Sequence, residues 1–342
     1  MSDSQTLAIR RLTLTEFRNY PGLRLETGAR LLALAGANGA GKTNILEAIS
    51  LLAPGRGLRG AGFDEIPRQG GPGGWAIAAE VEAEHGPVSL GTAWSGQSDG
   101  GDGGSRQVVI DGEPQKGSGA LGAHMRLLWL TPAQDRLFAG PGSDRRRFLD
   151  RMVAAFDPEH AARITVFEKV MRERNLLLEE TRPDPAWLSS LEAHMAEAAV
   201  AISAARLVGL EALQAHIGEG RESSSFPWAE VAVEGEIEAL VAQKPAVQVE
   251  DEYRRILRDS RGLDRAAGRT LRGPHRSDLA VAHGPKNMAA AQCSTGEQKA
   301  LLIGLVLAQA RAVKAGVGLP PILLLDEVAA HLDRARRKSL LE

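Results

Sequence analysis

The sequence predicts an α/β protein, in which a mixed sheet surrounds a phosphate-binding loop and a mainly helical second lobe is inserted into the chain. Three observations carry this reading. A glycine-rich loop lies between an apolar run and a helical segment near the start. An apolar run ending in two carboxylates lies near the end. Between them, residues from about 143 to 220 carry apolar side chains at three and four spacing, the period of buried helix faces.

Taken in order, Leu7 to Phe17 alternates in part as a strand does, and Leu31-Leu32-Ala33-Leu34-Ala35 is a short apolar run expected to be a strand buried on both faces. Gly36-Ala37-Asn38-Gly39-Ala40-Gly41-Lys42-Thr43 then fits the spacing G-x-x-x-x-G-K-[ST]. Its glycines let backbone N–H groups converge on phosphate oxygens that a side chain would obstruct. Lys42 is placed to reach the β- and γ-phosphates of a nucleotide, and Thr43 to offer its hydroxyl to Mg²⁺. Thr43-Asn44-Ile45-Leu46-Glu47-Ala48-Ile49 opens a helix whose N-terminal dipole faces those phosphates. A glycine-rich turn with a chance lysine would not require a strand before it and a helix after it.

Further on, Trp75 to Glu84, Pro87 to Trp94 and Arg106 to Ile110 read as an antiparallel group, with a Gly- and Ser-rich hairpin tip at 95–105. Arg163 to Thr181 and Pro185 to Ile217 predict an antiparallel helical pair, turned at Thr181-Arg182-Pro183-Asp184-Pro185. No internal repeat is present.

Near the end, Ser294 is a good N-cap for a helix from about Gly296 through Ala310, and Ser294 to Glu297 has capping-box spacing. Such a helix start, made of Ser294, Thr295, Gly296 and Glu297, can also donate N–H groups to a phosphate. Pro321-Ile322-Leu323-Leu324-Leu325-Asp326-Glu327 predicts a buried parallel strand with both carboxylates at the end where open α/β sheets bind ligands. Asp326 suits the Mg²⁺ shell and Glu327 suits polarising an attacking water, although an acidic helix cap would look the same in isolation. A phosphate loop alone says only nucleotide. These three motifs in this order, followed by Asp333, point to an ATPase that closes its site by pairing two heads.

Ser294-Thr295-Gly296-Glu297-Gln298-Lys299-Ala300 resembles the signature motif of the RecF family of ABC/SMC-type ATPases. Other stretches agree along nearly the whole chain: Leu14-Thr15-Glu16-Phe17-Arg18-Asn19-Tyr20, the phosphate loop with its helix, Trp129-Leu130-Thr131-Pro132, Gly140-Pro141, Arg145-Arg146-Arg147-Phe148-Leu149-Asp150 and Arg272-Gly273-Pro274-His275-Arg276. The resemblance implies an ABC/SMC-type ATPase head at residues 1–135 and 273–342, interrupted by a helical lobe at 136–272. It implies Lys42, Asp326 and Glu327 as catalytic residues, and Thr43 with Asp326 as Mg²⁺ ligands. Residues 36–44, Ser294 to Glu297 and Asp333 become contacts to ATP. It further implies a weak, DNA-stimulated ATPase of recombinational repair, replication-fork maintenance and the SOS response. Such a protein binds gapped DNA at single-strand/double-strand junctions, dimerises on ATP, and works with RecR and RecO to load RecA.

The sequence departs from the family pattern in places. Thr295 stands where ABC proteins usually carry Gly, although the RecF family commonly carries Thr; Gly57 and Ser277 replace a Ser and an Asp; Gln134 lies near the position of the ABC Q-loop glutamine. Family members continue beyond Asp333 into another strand and helix that carry a switch region, whereas this sequence ends at Glu342. The expectation that follows is a second reading, in which ATP staples a DNA-binding dimer with little hydrolysis. An ATPase subunit of a membrane transporter would lack the segments at 17–20 and 272–276.

Composition agrees with the family reading. A length of 342 residues suits about two domains, each able to bury a core. One cysteine, Cys293, excludes a disulfide framework within the chain and suggests a reducing compartment, with the thiol itself expected to be a small packing residue. Met1 to Gln5 lacks the plan of a signal peptide, and no run of about 20 apolar residues is expected, so the sequence predicts a cytoplasmic protein without a membrane partner. Net charge is −2, yet Arg254 to Arg276 holds eight arginines against two aspartates, and Arg145, Arg146, Arg147 and Arg151 form a second cluster. Where such side chains neutralise phosphates, binding falls with salt at a log–log slope of about −0.9 per contact. Solvated helix faces with internal ion pairs are the plain alternative for each arginine. Arg59 is one more candidate for a phosphate contact.

Overall fold

The computed structural model describes residues 7–83, 86–96, 104–219, 224–328 and 332–341. In chain order the first elements are β1 (Ala8–Phe17), β2 (Tyr20–Glu26), α1 (Lys42–Ser50), β3 (Trp75–Ala83), β4 (Gly86–Trp94), β5 (Gln107–Ile110), β6 (Glu113–Pro114) and β7 (Leu127–Leu130). Helices follow: α2 (Gly142–Ala154), α3 (His160–Glu179) and α4 (Pro185–Glu219). Next come β8 (Ala229–Glu234), α5 (Glu236–Val241), α6 (Ala246–Asp259), α7 (Arg261–Ala267), β9 (Asp278–His283) and β10 (Met288–Ala289). The last elements are α8 (Thr295–Val317), β11 (Ile322–Leu325) and α9 (Arg334–Leu341). They divide into two units, Met1–Pro132 with Val313–Ala330 and Ala133–Ala312 with His331–Glu342.

The first unit contains a six-stranded antiparallel sheet in the order β2-β1-β3-β4-β5-β6. Alternation along the strands buries Leu12, Leu14 and Phe17 from β1, Trp75, Ile77, Ala79 and Val81 from β3, and Val88, Leu90 and Trp94 from β4 on one face. Ile45 and Ala48 of α1 join that cluster, so the helix that carries the phosphate loop is seated on the sheet. A second, parallel sheet pairs β11 with β7 from Ile322 opposite Leu127 to Leu325 opposite Leu130. The antiparallel group expected from the sequence is present and larger than expected; the tip at 95–105 falls mostly outside the described residues.

The apolar run Leu31 to Ala35 is not the buried strand its composition predicts. Leu31 is 66% and Leu32 54% exposed, and among the described residues the parallel ladder is formed by β7 and β11. Apolar side chains make a segment fit for a sheet, but a strand exists only where a neighbour supplies ladder hydrogen bonds.

In the second unit α3 and α4 form the predicted helical pair, and Phe167, Met195, Ala199 and Ile202 pack with Val249, Tyr253 and Leu257 of α6. Within this apolar core lies a buried charge cluster. Arg174 is fully buried and donates to Glu192 Oε1 at 3.1 Å, Asp264 Oδ2 at 2.8 Å, Thr270 Oγ1 at 3.0 Å and the Leu257 carbonyl at 2.7 Å. A three-stranded antiparallel sheet, β10-β9-β8, completes the unit's regular structure. Helix α8 runs to Val317, beyond the expected end near Ala310. It is also long and apolar enough to cross a membrane by length and composition, contrary to the expectation that no such run exists; 56% of its most apolar stretch is buried inside the protein, as in a core helix.

Candidate nucleotide-binding site

The phosphate loop is shaped by backbone that only glycine adopts easily. Gly39 and Gly41 have φ of 81° and 100°, and a Cβ on Gly41 would lie 2.5 Å from Tyr20 Oη and 2.7 Å from Asn19 Nδ2. The turn between β1 and β2 therefore grips the loop: Tyr20 Oη donates to the Ala40 carbonyl at 3.2 Å and Asn19 Nδ2 to the same oxygen at 3.4 Å. Gly36, Ala37, Asn38, Gly39 and Ala40 are exposed, and α1 begins immediately after Gly41. The Lys42 ammonium is folded over its own loop, donating to the carbonyls of Gly36 at 2.7 Å and Ala37 at 2.8 Å.

Thr43 and Asp326, far apart in sequence, meet in this unit: Thr43 Oγ1 donates to Asp326 Oδ2 at 3.0 Å. The Asp326 amide extends the β11–β7 ladder by donating to the Leu130 carbonyl at 2.9 Å, which fixes the carboxylate at the sheet's C-terminal end. Glu327 is exposed and has φ of 49°, a left-handed conformation uncommon for a residue with a side chain. Among the described residues no group of three or more His, Cys, Asp or Glu side chains gathers to hold a metal. The hydroxyl–carboxylate pair fits Mg²⁺ nevertheless, since that ion takes one or two protein oxygens and completes its shell with phosphates and water.

Sequence reasoning missed what lies behind the loop. Glu47 of α1 is buried and accepts from Arg18 Nη2 at 2.6 Å, Arg18 Nε at 2.9 Å and Arg59 Nη1 at 2.5 Å. Arg59, expected to contact phosphate, is thus held by Glu47 and by Asn44 Oδ1 at 2.8 Å. Asn44 in turn donates to Asn19 Oδ1 at 2.7 Å, closing a network from the β1–β2 turn through α1. The charged residue inside an otherwise apolar helical pattern was the available signal for a buried partner.

The signature residues and Asp333 belong to the second unit. Ser294, Thr295 and Gly296 are exposed at the start of α8. The capping box forms: the Ser294 amide donates to Glu297 Oε2 at 3.0 Å, Ser294 Oγ donates to the same oxygen at 2.9 Å, and the Glu297 amide approaches Ser294 Oγ at 3.4 Å. The Lys286 ammonium, followed by the Ser294 amide and hydroxyl, pulls the Glu297 carboxyl down to about 2. Gln298 Nε2 donates to the Cys293 carbonyl at 2.8 Å, and the buried Lys299 ammonium pairs with Asp135 at 3.2 Å. Cys293 is buried, as expected, and burial pushes its thiol up. Asp333 Oδ1 accepts from the Arg336 amide at 2.8 Å and so caps α9; that bond holds its carboxyl below the usual range. Gln134 ends a single 3₁₀ turn at Pro132–Gln134.

Internal pairing consumes much of the basic clusters. Arg145 binds Asp278 through both oxygens at 2.8 and 2.6 Å. Arg254 pairs with Asp251 and Glu250, Arg261 with Glu192, and Arg272 with Glu236. Arg258, Arg269 and Arg276 remain exposed.

A family model described as RecF/RecN/SMC N terminal domain matches residues 8–342. The chain is 50% identical over 333 residues to the DNA replication and repair protein RecF of Mesorhizobium japonicum, covering 97% of this chain and 87% of that protein. To the protein of the same name from Rhizobium meliloti it is 48% identical over 332 residues, covering 97% and 88%. A solved structure of the recombination mediator protein RecF-ATPrS in the RecFOR pathway shares the fold, with a TM-score of 0.86 at 23% identity over 98% of this chain and 91% of that one.

Proposed function

The chain belongs to the RecF family, and on that premise we propose that it is an ATP-dependent DNA clamp of replication and repair. The observation that carries the nucleotide half of this reading is the Thr43–Asp326 hydrogen bond beside an exposed phosphate loop. In this reading Lys42 exchanges the Gly36 and Ala37 carbonyls for the β- and γ-phosphates of ATP, and the backbone from Gly36 to Asn44 cradles them. Thr43 and Asp326 hold Mg²⁺, which when bound neutralises phosphate charge. Glu327 polarises the attacking water; its left-handed backbone supports a functional rather than a packing role.

Residues 1–135 and 273–342 act as the head and 136–272 as the helical lobe. Ser294, Thr295, Gly296 and Glu297 of a second copy close over the γ-phosphate, with Asp333 beside them. Only the dimer gains those contacts, so ATP draws monomers together by mass action. The paired heads hold gapped DNA at single-strand/double-strand junctions in the cytoplasm, act with RecR and RecO in loading RecA, and release DNA after slow, DNA-stimulated hydrolysis. The second reading, a nucleotide-stapled dimer that scarcely turns over, keeps every step but the last.

Binding of a labelled gapped duplex, measured with ATP, with ADP and without nucleotide across a salt series, tests the clamp. Tight binding with ATP that weakens steeply with salt and is lost with ADP is expected. Affinity indifferent to nucleotide would contradict it.

A further inference from the structure

The phosphate loop rests on a support that lies outside its own motif. The turn joining β1 to β2 comes so close that a Cβ on Gly41 would lie 2.5 Å from Tyr20 Oη and 2.8 Å from Asn19 Oδ1. Both side chains donate to one acceptor, the Ala40 carbonyl, Tyr20 Oη at 3.2 Å and Asn19 Nδ2 at 3.4 Å. In a planar trans peptide the carbonyl and the following N–H point to opposite sides. Holding the Ala40 oxygen on the turn therefore aims the Gly41 N–H away from it. In a loop that cradles phosphate with backbone N–H groups, that is the ligand's side.

The turn is itself held. Arg18 adopts left-handed backbone, φ 54°, which a residue with a side chain keeps only where its surroundings fix it. Its amide donates to the Ile66 carbonyl at 3.0 Å, and Nη1 to the Glu65 carbonyl at 2.7 Å. The strongest tie is ionic and bidentate: Nη2 donates to Glu47 Oε1 at 2.6 Å and Nε to Oε2 at 2.9 Å. The Glu47 side chain, on α1, is only 2% exposed, and Arg59 Nη1 donates to its second oxygen. Asn44, one helical turn earlier, ties the same elements by donating to Asn19 Oδ1 at 2.7 Å. Buried ion pairs seldom add net stability over apolar packing, so what this pair holds in place matters more than the fold it sits in.

We propose that Glu47 is a positioning residue for the nucleotide. It acts through Arg18 to lock the β1–β2 turn, and the turn sets the Ala40–Gly41 peptide for phosphate. The proposal rests on the phosphate-loop reading above and is independent of its DNA and dimer parts. Charge alone predicts the opposite effect. Glu47 is an anion beside the site of a polyanion, so removing its charge strengthens the attraction of phosphate. Positioning and electrostatics thus differ in sign, and a group that serves only the fold leaves the affinity of the folded protein unmoved.

Isothermal titration of the full chain with ADP reads the loop by itself, because ADP lacks the γ-phosphate that draws in the second copy. Glu47→Gln keeps the side chain's shape and one acceptor. Arg18 and Arg59 are 19% and 39% exposed, so water can take up the donors that variant releases. Glu47→Gln is expected to bind ADP about tenfold more weakly, and Tyr20→Phe, which loses only a hydroxyl, about threefold. In an Asn19→Ala, Tyr20→Phe background the turn no longer holds Ala40, and there Glu47→Gln costs less than about twofold more. Unfolding midpoints taken alongside keep every titration on folded protein. Glu47→Gln binding as tightly as wild type, or more tightly, overturns the proposal, as does a full tenfold loss in the background without the grip. Tyr20→Phe leaves the ion pairs intact, and an unchanged affinity there overturns it as well. A wild type that binds no ADP overturns the phosphate-loop reading, and this proposal with it.

Discussion

Arg174→Met is expected to destabilise the second unit by about 3–5 kcal/mol, the cost of leaving buried acids without their cation. Asp264 has no exposed side-chain surface and Glu192 has 3%, so neither can recruit water when the guanidinium is removed. Arg261 still reaches Glu192 at 2.6 Å, but no second cation pairs with Asp264 among the described residues. Thr270 and the Leu257 carbonyl lose a donor as well. A whole domain is stable by about 5–15 kcal/mol, so this one side chain accounts for a large share. Calorimetry should show the melting point lowered by about 6–20 °C, converting that loss at about 2–4 °C per kcal/mol for a unit of this size. A shift below about 2 °C would mean that the cluster is wet or rearranges.

Glu327→Gln is expected to lower ATP turnover by about 10²–10⁴-fold, the range typical of removing a group that moves or polarises a proton. Affinity for ATP should hardly change, because Lys42, Thr43 and Asp326 are untouched and the glutamine keeps its shape. Residue 327 is exposed, and glutamine keeps the length and shape of glutamate there, so thermal unfolding measured beside turnover separates an effect on stability from one on chemistry. Phosphate release at saturating ATP, with and without DNA, reads the effect. Turnover within threefold of wild type would remove Glu327 from the chemistry and favour the stapled-dimer reading.

What the sequence made legible was local. The phosphate loop, the helix from Lys42, the capped start of α8 and the strand before Asp326 are patterns of neighbours within a few residues, and each forms as its spacing predicts. Contacts across the fold were not legible. The partners of Glu47, Arg18 and Arg59, arrive from a turn and a loop on either side of it in sequence, and no local pattern names them. Arg174 meets residues from α4, α6, α7 and the following loop. Leu31 to Ala35 failed for the same reason in reverse, since composition cannot supply a strand's neighbour. The basic run from Arg254 to Arg276 likewise looked uniform in sequence, but tertiary carboxylates sort its arginines into paired and open ones.

In the clamp proposed above, ATP joins two copies through a shared site. Sedimentation of the protein without nucleotide, with ATP–Mg²⁺, and with ATP–Mg²⁺ after Lys42→Met or Ser294→Arg tests it most directly. An ATP-dependent dimer that both variants lose is expected, with Ser294→Arg still binding ATP as a monomer because its phosphate loop is intact. A wild type that binds ATP and remains monomeric, or a dimer that survives Ser294→Arg, would contradict it.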